Sequence, residues 1–193
     1  MIEYTDVASA IGKERGDAVV ITGMTQGRFW AAVSERPELD IPTNNGMGKM
    51  SSIGLGIALG APDRQVIVQD ADGSLLMNLG SLVTVAGKQP ANFYHFVFDN
   101  GIYAITGGQP VPNTGKIDYV GLAKSAGYRA AYFFDDTEEL ATELPRIMSE
   151  PGPVLIQVKV VPVIDTSGGG VTQTWESNKR MPGAMRSVKA ALA

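Results

Sequence analysis

The sequence contains no cysteine, which removes disulfides, thiolate nucleophiles and zinc–thiolate centres together. It contains one histidine, His95, so a metal site built from several imidazoles is also excluded. No apolar run approaches the ~18 residues that a membrane helix needs. Basic residues form no cluster and the formal net charge is −4, so neither nucleic acid nor an acidic membrane is an expected partner. The opening MIEYTDVASA has no basic segment followed by an apolar core, so no secretory signal is expected and a cytoplasmic protein is. No Walker A sequence occurs. Against these absences stands a globular composition, 44% hydrophobic and 19% charged over 193 residues. That is enough chain for one domain with a core of its own.

Short β-branched runs alternate with helical patterns. Strands are predicted at 18–22, 64–70, 91–100, 129–134 and 153–161. Helices are predicted at 27–35, at 47–59, at 74–87, at 118–127 with Gly127 closing it, and at 137–150 with Pro145 placed to kink it. The alternation implies right-handed βαβ crossovers. The expected fold is therefore α/β: a single doubly wound domain over 1–161, with a mostly parallel sheet and helices on both faces. Residues 162–193 break the rhythm, with a weak helical segment near 183–192, and read as a C-terminal arm rather than a second domain.

In open parallel sheets, ligands sit at the carboxyl ends of strands. Two such ends carry polar side chains. VIVQDADGS runs from a strand into Asp72-Gly73-Ser74 and then a helix, and FVFDNGIY runs from a strand into Asn100-Gly101-Ile102-Tyr103. The separation, 100 − 72 = 28 residues, leaves room for one helix and the return strand. Each strand can thus deliver one side-chain oxygen to the same end of the sheet. A carboxylate, an amide oxygen and a nearby carbonyl are hard ligands that suit Mg²⁺, which completes its octahedron with water and phosphate oxygens. Gly73 permits close backbone approach, and a helix starting at Ser74 offers N–H donors and a positive dipole end to a phosphate.

These residues resemble the motif of thiamine diphosphate enzymes, which opens with Gly-Asp-Gly and closes about 30 residues later with Asn-Asn or a variant. Ala71-Asp72-Gly73-Ser74 and Asp99-Asn100-Gly101 are similar to its two ends, with Ala71 and Asp99 as departures. NNGMGKMSSIGLGIALG resembles the family's Gly-x-Gly stretch before the motif. SLLMNLGSLVTVA and TGGQP resemble the β subunits of sulfopyruvate decarboxylase and the C-terminal domain of phosphonopyruvate decarboxylase. The similarity runs over roughly 17–160 and does not cover the tail.

The resemblance implies two cofactors, thiamine diphosphate and Mg²⁺. It implies that Asp72, the Asn100 side chain and the Ile102 carbonyl bind the metal, with Gly73, Ser74 and Tyr103 also at the cofactor. Asn45, Gly46 and Met47 would hold the aminopyrimidine, Met47 bending the cofactor into a V shape, and Thr25 would join them. Lys49, Thr106 and Gln109 are candidates for substrate contact. In the family, a glutamate on a separate pyrimidine-binding domain activates the cofactor. No glutamate here stands in a comparable context, so the resemblance implies a partner chain that supplies it, in a hetero-oligomer with at least two of each chain. The arm after Pro162 is then expected to lie across that interface. The activity implied is decarboxylation of a small 2-oxo acid.

Rival motifs are incomplete. An EF-hand would need ligands at Val68 and Leu79 and fails at both. Gly46-Met47-Gly48 lacks the third glycine of a dinucleotide fingerprint, which is Ser51. His95 and Trp30 read as structural, and a solvated Lys49 is the plainer alternative to a substrate contact. Within the family, a carboligase, an oxidoreductase or a non-catalytic regulatory subunit stays open.

Overall fold

The structure is a computed structural model. It describes residues 1–43, 45–164 and 170–192, the stretch 170–180 as backbone only. Helix α1 (Tyr4–Glu14) buries Tyr4, Val7, Ala8, Ala10 and Ile11, apolar positions at helical spacing. Next come β1 (Val19–Thr22), α2 (Met24–Trp30), a 3₁₀ turn (Pro37–Leu39) and β2 (Asp40–Pro42). Then follow α3 (Met50–Gly60), β3 (Val66–Ala71), α4 (Asp72–Leu76), α5 (Ser81–Lys88) and β4 (Phe93–Asp99). A small antiparallel hairpin pairs β5 (Ile102–Tyr103) with β6 (Gln109–Pro110) around a 3₁₀ turn (Ala104–Thr106). The chain ends through α6 (Tyr119–Ala126), β7 (Ala130–Phe134), α7 (Thr137–Ile147), β8 (Val154–Lys159) and α8 (Gly170–Ala191).

Six strands form one sheet in the order β2-β1-β3-β4-β8-β7, and every pairing is parallel. Alternate residues of each strand feed two cores. Phe96 and Phe98 of β4 meet Val7 and Ile11 of α1, Trp30 of α2 and Leu140 and Leu144 of α7 on one face. Phe93 and Val97 meet Leu55 of α3, Leu82 and Val85 of α5 and Ala123 of α6 on the other. With both faces covered, the central strands are buried along nearly their whole length and open on apolar runs rather than alternating apolar with polar residues. This is the doubly wound α/β architecture expected. α3 can lie close to the sheet because of Gly54: a Cβ there would collide with Val68 Cγ2 and sit 3.0 Å from Phe93.

The structure differs from the sequence expectations at several elements. α1 and β2 lie outside the predicted elements. α2 begins at Met24 and stops at Trp30, where turns replace the expected continuation to 35. The expected helix 74–87 is two helices, broken at 77–80. There Asn78 Nδ2 donates to the Gly48 carbonyl at 2.9 Å, and the chain must turn to make that bond. Pro145 stands two residues before the end of α7, which stops at Ile147 rather than 150. α8 is longer than the expected 183–192, and its described end docks on this chain's own core: Val188 is 3% exposed and packs in the cluster of β2 and α3. It covers the flank of the edge strand β2. Among the described residues no helix is long and apolar enough to cross a membrane.

The strand order reverses direction between β1 and β3: from β1 the chain moves outward to β2, and from β3 the other way to β4. The carboxyl ends that flank this switch point are Thr22-Gly23 and Ala71-Asp72. Doubly wound sheets bind ligands in that crevice.

Candidate functional site

A cleft opens at the switch point. Residues 23–26 after β1 form one wall, with Thr43 after β2 and Met47 and Met50 above it. Ala71, Gly73, Ser74, Asn100 and residues 102–106 of the hairpin form the other. Thr25, Met47, Gly73, Ser74, Asn100, Ile102, Tyr103 and Thr106, all singled out in the sequence, are thus brought together. Asp72 lies between two lining residues and is 1% exposed. Asn45 and Gly46 lead into Met47 on the loop before α3. Asn45 has a left-handed backbone (φ 60°), and Gly46 has Thr43 close behind it. Lys49 is exposed at the start of α3 and Gln109 is exposed on β6, and neither lines the cleft. Gln109 instead pairs with Thr106: Thr106 Oγ1 donates to Gln109 Oε1 and Gln109 Nε2 donates to the Thr106 carbonyl, both at 2.8 Å.

The two ends of the 72–100 motif are tied directly. Asp72 Oδ1 accepts from the Gly73 N–H at 2.8 Å, and Oδ2 accepts from the Gly101 N–H at 2.7 Å. Gly101 has φ 75°, a backbone that glycine adopts without strain. Asn100 Oδ1 accepts from the Ile102 N–H at 2.9 Å. Ser74 Oγ accepts from the Gly48 N–H at 3.0 Å, which fastens the Met47 loop to the start of α4. Gly73 is needed for fit, since a Cβ there would come within 2.6 Å of the Tyr103 ring. α4 has only five residues, so its dipole is small and the backbone N–H groups, rather than a macrodipole, are what it can offer an anion.

Burial pushes the Asp72 carboxyl up to about 6, and the Gly73 and Gly101 N–H groups only partly oppose this. Among the described residues Asp72 forms no ion pair. Lys159 is committed to Asp99 at 2.9 Å, and Gln157 donates to the other Asp99 oxygen at 2.9 Å. This accounts for both departures from the motif. Asp99 carries a charge that Lys159 neutralises, and Ala71 sits in extended backbone (φ −112°, ψ 155°) where a Cβ is tolerated. Among the described residues this buried carboxylate is held by neutral N–H donors alone, and Asn100 and Ile102, which bring further oxygens, line the same cleft, a donor set that fits a hard divalent cation.

Sequence reasoning missed Gly23, Met24, Gln26, Thr43 and Met50. Gln26 Nε2 donates to the Asp70 carbonyl at 3.4 Å and Thr43 Oγ1 to the Thr22 carbonyl at 2.9 Å, so both brace the cleft floor. The signal for 23–26 was available, since they follow the carboxyl end of the first strand. His95 lies in the sheet interior, 3.3 Å from Tyr128 Oη and 3.5 Å from Asp70 Oδ2, and does not line the cleft.

Residues 21–158 match the family model of the thiamine pyrophosphate enzyme, C-terminal TPP binding domain. The chain belongs to this family. The match contains both ends of the 72–100 motif and leaves out α1 and the arm. Phosphonopyruvate decarboxylase of Streptomyces hygroscopicus is 41% identical over 116 residues, 60% of this chain and 28% of that protein. Sulfopyruvate decarboxylase subunit beta of Methanothermobacter thermautotrophicus is 42% identical over 125 residues, 62% of this chain and 64% of that one. The solved structure of the Rhodococcus jostii RHA1 thiamine diphosphate-dependent 4-hydroxybenzoylformate decarboxylase aligns with a TM-score of 0.70 at 21% identity. That alignment covers 83% of this chain and 33% of that one. The chain therefore spans less than two thirds of each of these relatives.

Proposed function

We propose that this TPP-binding domain is the diphosphate- and Mg²⁺-binding subunit of a thiamine diphosphate-dependent 2-oxo acid decarboxylase of the sulfopyruvate or phosphonopyruvate type, completed by a partner chain with a pyrimidine-binding domain. The observation that carries this reading is Asp72, buried at the switch point with no cationic partner among the described residues and bonded through Gly101 to the turn that holds Asn100. Asp72, Asn100 Oδ1 and the Ile102 carbonyl would hold the cation, which in turn neutralises the diphosphate. Thiamine diphosphate, when bound, supplies the electron sink for loss of CO₂ from a 2-oxo acid. This chain's part is to bind, orient and exclude water. Met47, which is 38% exposed and lines the cleft, would prop the cofactor from one side. Ala104 and Ile105 present an apolar wall on the other. The names of the relatives support decarboxylation, and the word subunit in one of them supports a partner. Cytoplasmic location and a complex with at least two of each chain belong to the same proposal.

The test is reconstitution. The chain alone, given Mg²⁺, thiamine diphosphate and a panel of 2-oxo acids, should bind cofactor weakly and release no CO₂. Addition of the pyrimidine-domain chain should restore both. Robust decarboxylation by this chain alone would overturn the two-chain reading.

A further inference from the structure

Tyr4 lies outside the segment that matches the family, yet its hydroxyl is 2.8 Å from Asn100 Nδ2. Its role, like that of Asn100, rests on the cation site proposed above. Asn100 Oδ1 accepts from the Ile102 N–H. A backbone N–H can only donate, so this bond decides which end of the amide is oxygen. The amide nitrogen then faces back into the protein, where Tyr4 Oη is its acceptor. Without that acceptor a buried NH₂ would stand unsatisfied, and the amide would no longer be held in one of its two orientations.

Tyr4 is well fixed for this task. Its ring stacks on Phe29 (centroids 5.0 Å apart) and on Phe98 (5.4 Å). Two residues earlier, the Ile2 N–H donates to the Lys159 carbonyl at 2.8 Å, and the Ile2 carbonyl accepts from the Val161 N–H at 3.0 Å.

We infer that Tyr4 is a positioning residue of the cation site: its hydroxyl holds the Asn100 amide with the oxygen on the Ile102 side, and so sets the affinity of a site to which it gives no ligand. Groups that orient metal ligands from behind commonly matter by 10–100-fold in metal affinity.

Tyr4→Phe keeps both ring stacks and removes only the acceptor. The purified full chain is dialysed to equilibrium against a fixed concentration of thiamine diphosphate over a series of Mn²⁺ concentrations, and bound cofactor is measured. The Mn²⁺–diphosphate complex in solution is common to all samples and cancels. Tyr4→Phe should raise the Mn²⁺ midpoint by about tenfold. Asn100→Ala should raise it at least as far, and adding Tyr4→Phe to Asn100→Ala should change nothing more. A raised midpoint for Asn100→Ala with a wild-type midpoint for Tyr4→Phe would overturn the role of Tyr4 and leave the cation site standing, whatever happens to the melting temperature. An unchanged midpoint for Asn100→Ala would overturn the cation site itself. An effect of Tyr4→Phe that persists in full without Asn100 would show that it does not act through that amide.

Discussion

Ionising Asp72 opposes folding in the empty protein, and the size of that opposition follows from its surroundings. The carboxyl has an ordinary value of 3.8 and is pushed up to about 6 in the folded state, mainly by burial. Between these values the folded chain holds a proton that the unfolded chain releases. Stability from this group is therefore fully present below 3.8 and is lost as pH rises through 6. A shift of about 2 units at ~1.4 kcal/mol each gives about 3 kcal/mol. The perturbation that isolates it is Asp72→Asn, which keeps the shape and cannot ionise. The amide NH₂ meets one of the two N–H donors now bonded to the carboxylate, so the variant carries a penalty of its own, but one that does not depend on pH. Urea unfolding without metal or cofactor, measured for both proteins from pH 4 to pH 8, should show the wild type losing about 2.5 kcal/mol relative to the variant as pH rises, the first part of the loss lying below pH 4. Other titrating groups, such as Asp40, whose carboxyl is also raised by burial, cancel in the difference. Mg²⁺ with thiamine diphosphate, at concentrations well above the weak affinity expected of the chain alone, should stabilise the wild type at pH 8 more than the variant. A stability difference that stays flat between pH 4 and pH 8 would refute the claim that Asp72 is an uncompensated buried charge.

Met47→Ala should lower kcat of the reconstituted complex more than it weakens cofactor binding, because the diphosphate anchor at Asp72 is untouched; normal turnover would make Met47 a packing residue only. Gly54→Ala should destabilise the chain by about 1–3 kcal/mol in urea unfolding through overpacking against Val68 and Phe93, whereas a gain in stability, as an open helix position would give, would contradict the close approach of α3 to β3. Gln109→Ala removes both bonds to Thr106 and should change KM or the order of preferred 2-oxo acids, with a stability cost within about 0.5 kcal/mol at this exposed site; kinetics like wild type on every acid tested would count against a substrate role for the hairpin.

The parts of the fold legible in the sequence are those whose signals are local. Strands β3, β4 and β8 are buried and mostly apolar because helices cover both faces, and Gly127 closes α6 in the left-handed conformation that favours glycine. The motif residues were legible because strand ends deliver side chains to one edge, which depends on topology more than on contacts. β2 was not legible: it is three residues long, contains Pro42, and exists only because β1 offers it a partner. The break in 74–87 was hidden for a similar reason. Asn78 leaves the helix to reach Gly48, 30 residues away, and no periodicity encodes that. α1 is a different case. Its helical spacing is present at Tyr4, Val7, Ala8 and Ile11, and without that helix the hydroxyl behind Asn100 stays out of view.

The bonds from Ile2 to Lys159 and Val161 impose an order on biosynthesis. Helix α1 must wait for a strand that lies about 150 residues later in the sequence. At roughly 5–20 residues per second, the intervening chain takes on the order of ten seconds or more to appear. During that interval the apolar face of α1, with Val7 and Ile11, has no complete surface to rest on, and contacts of such long sequence separation form slowly even in a finished chain. The sheet around β1, β3 and β4 can assemble meanwhile, but the bonds that anchor the start of α1, two residues from the tyrosine behind Asn100, wait for β8.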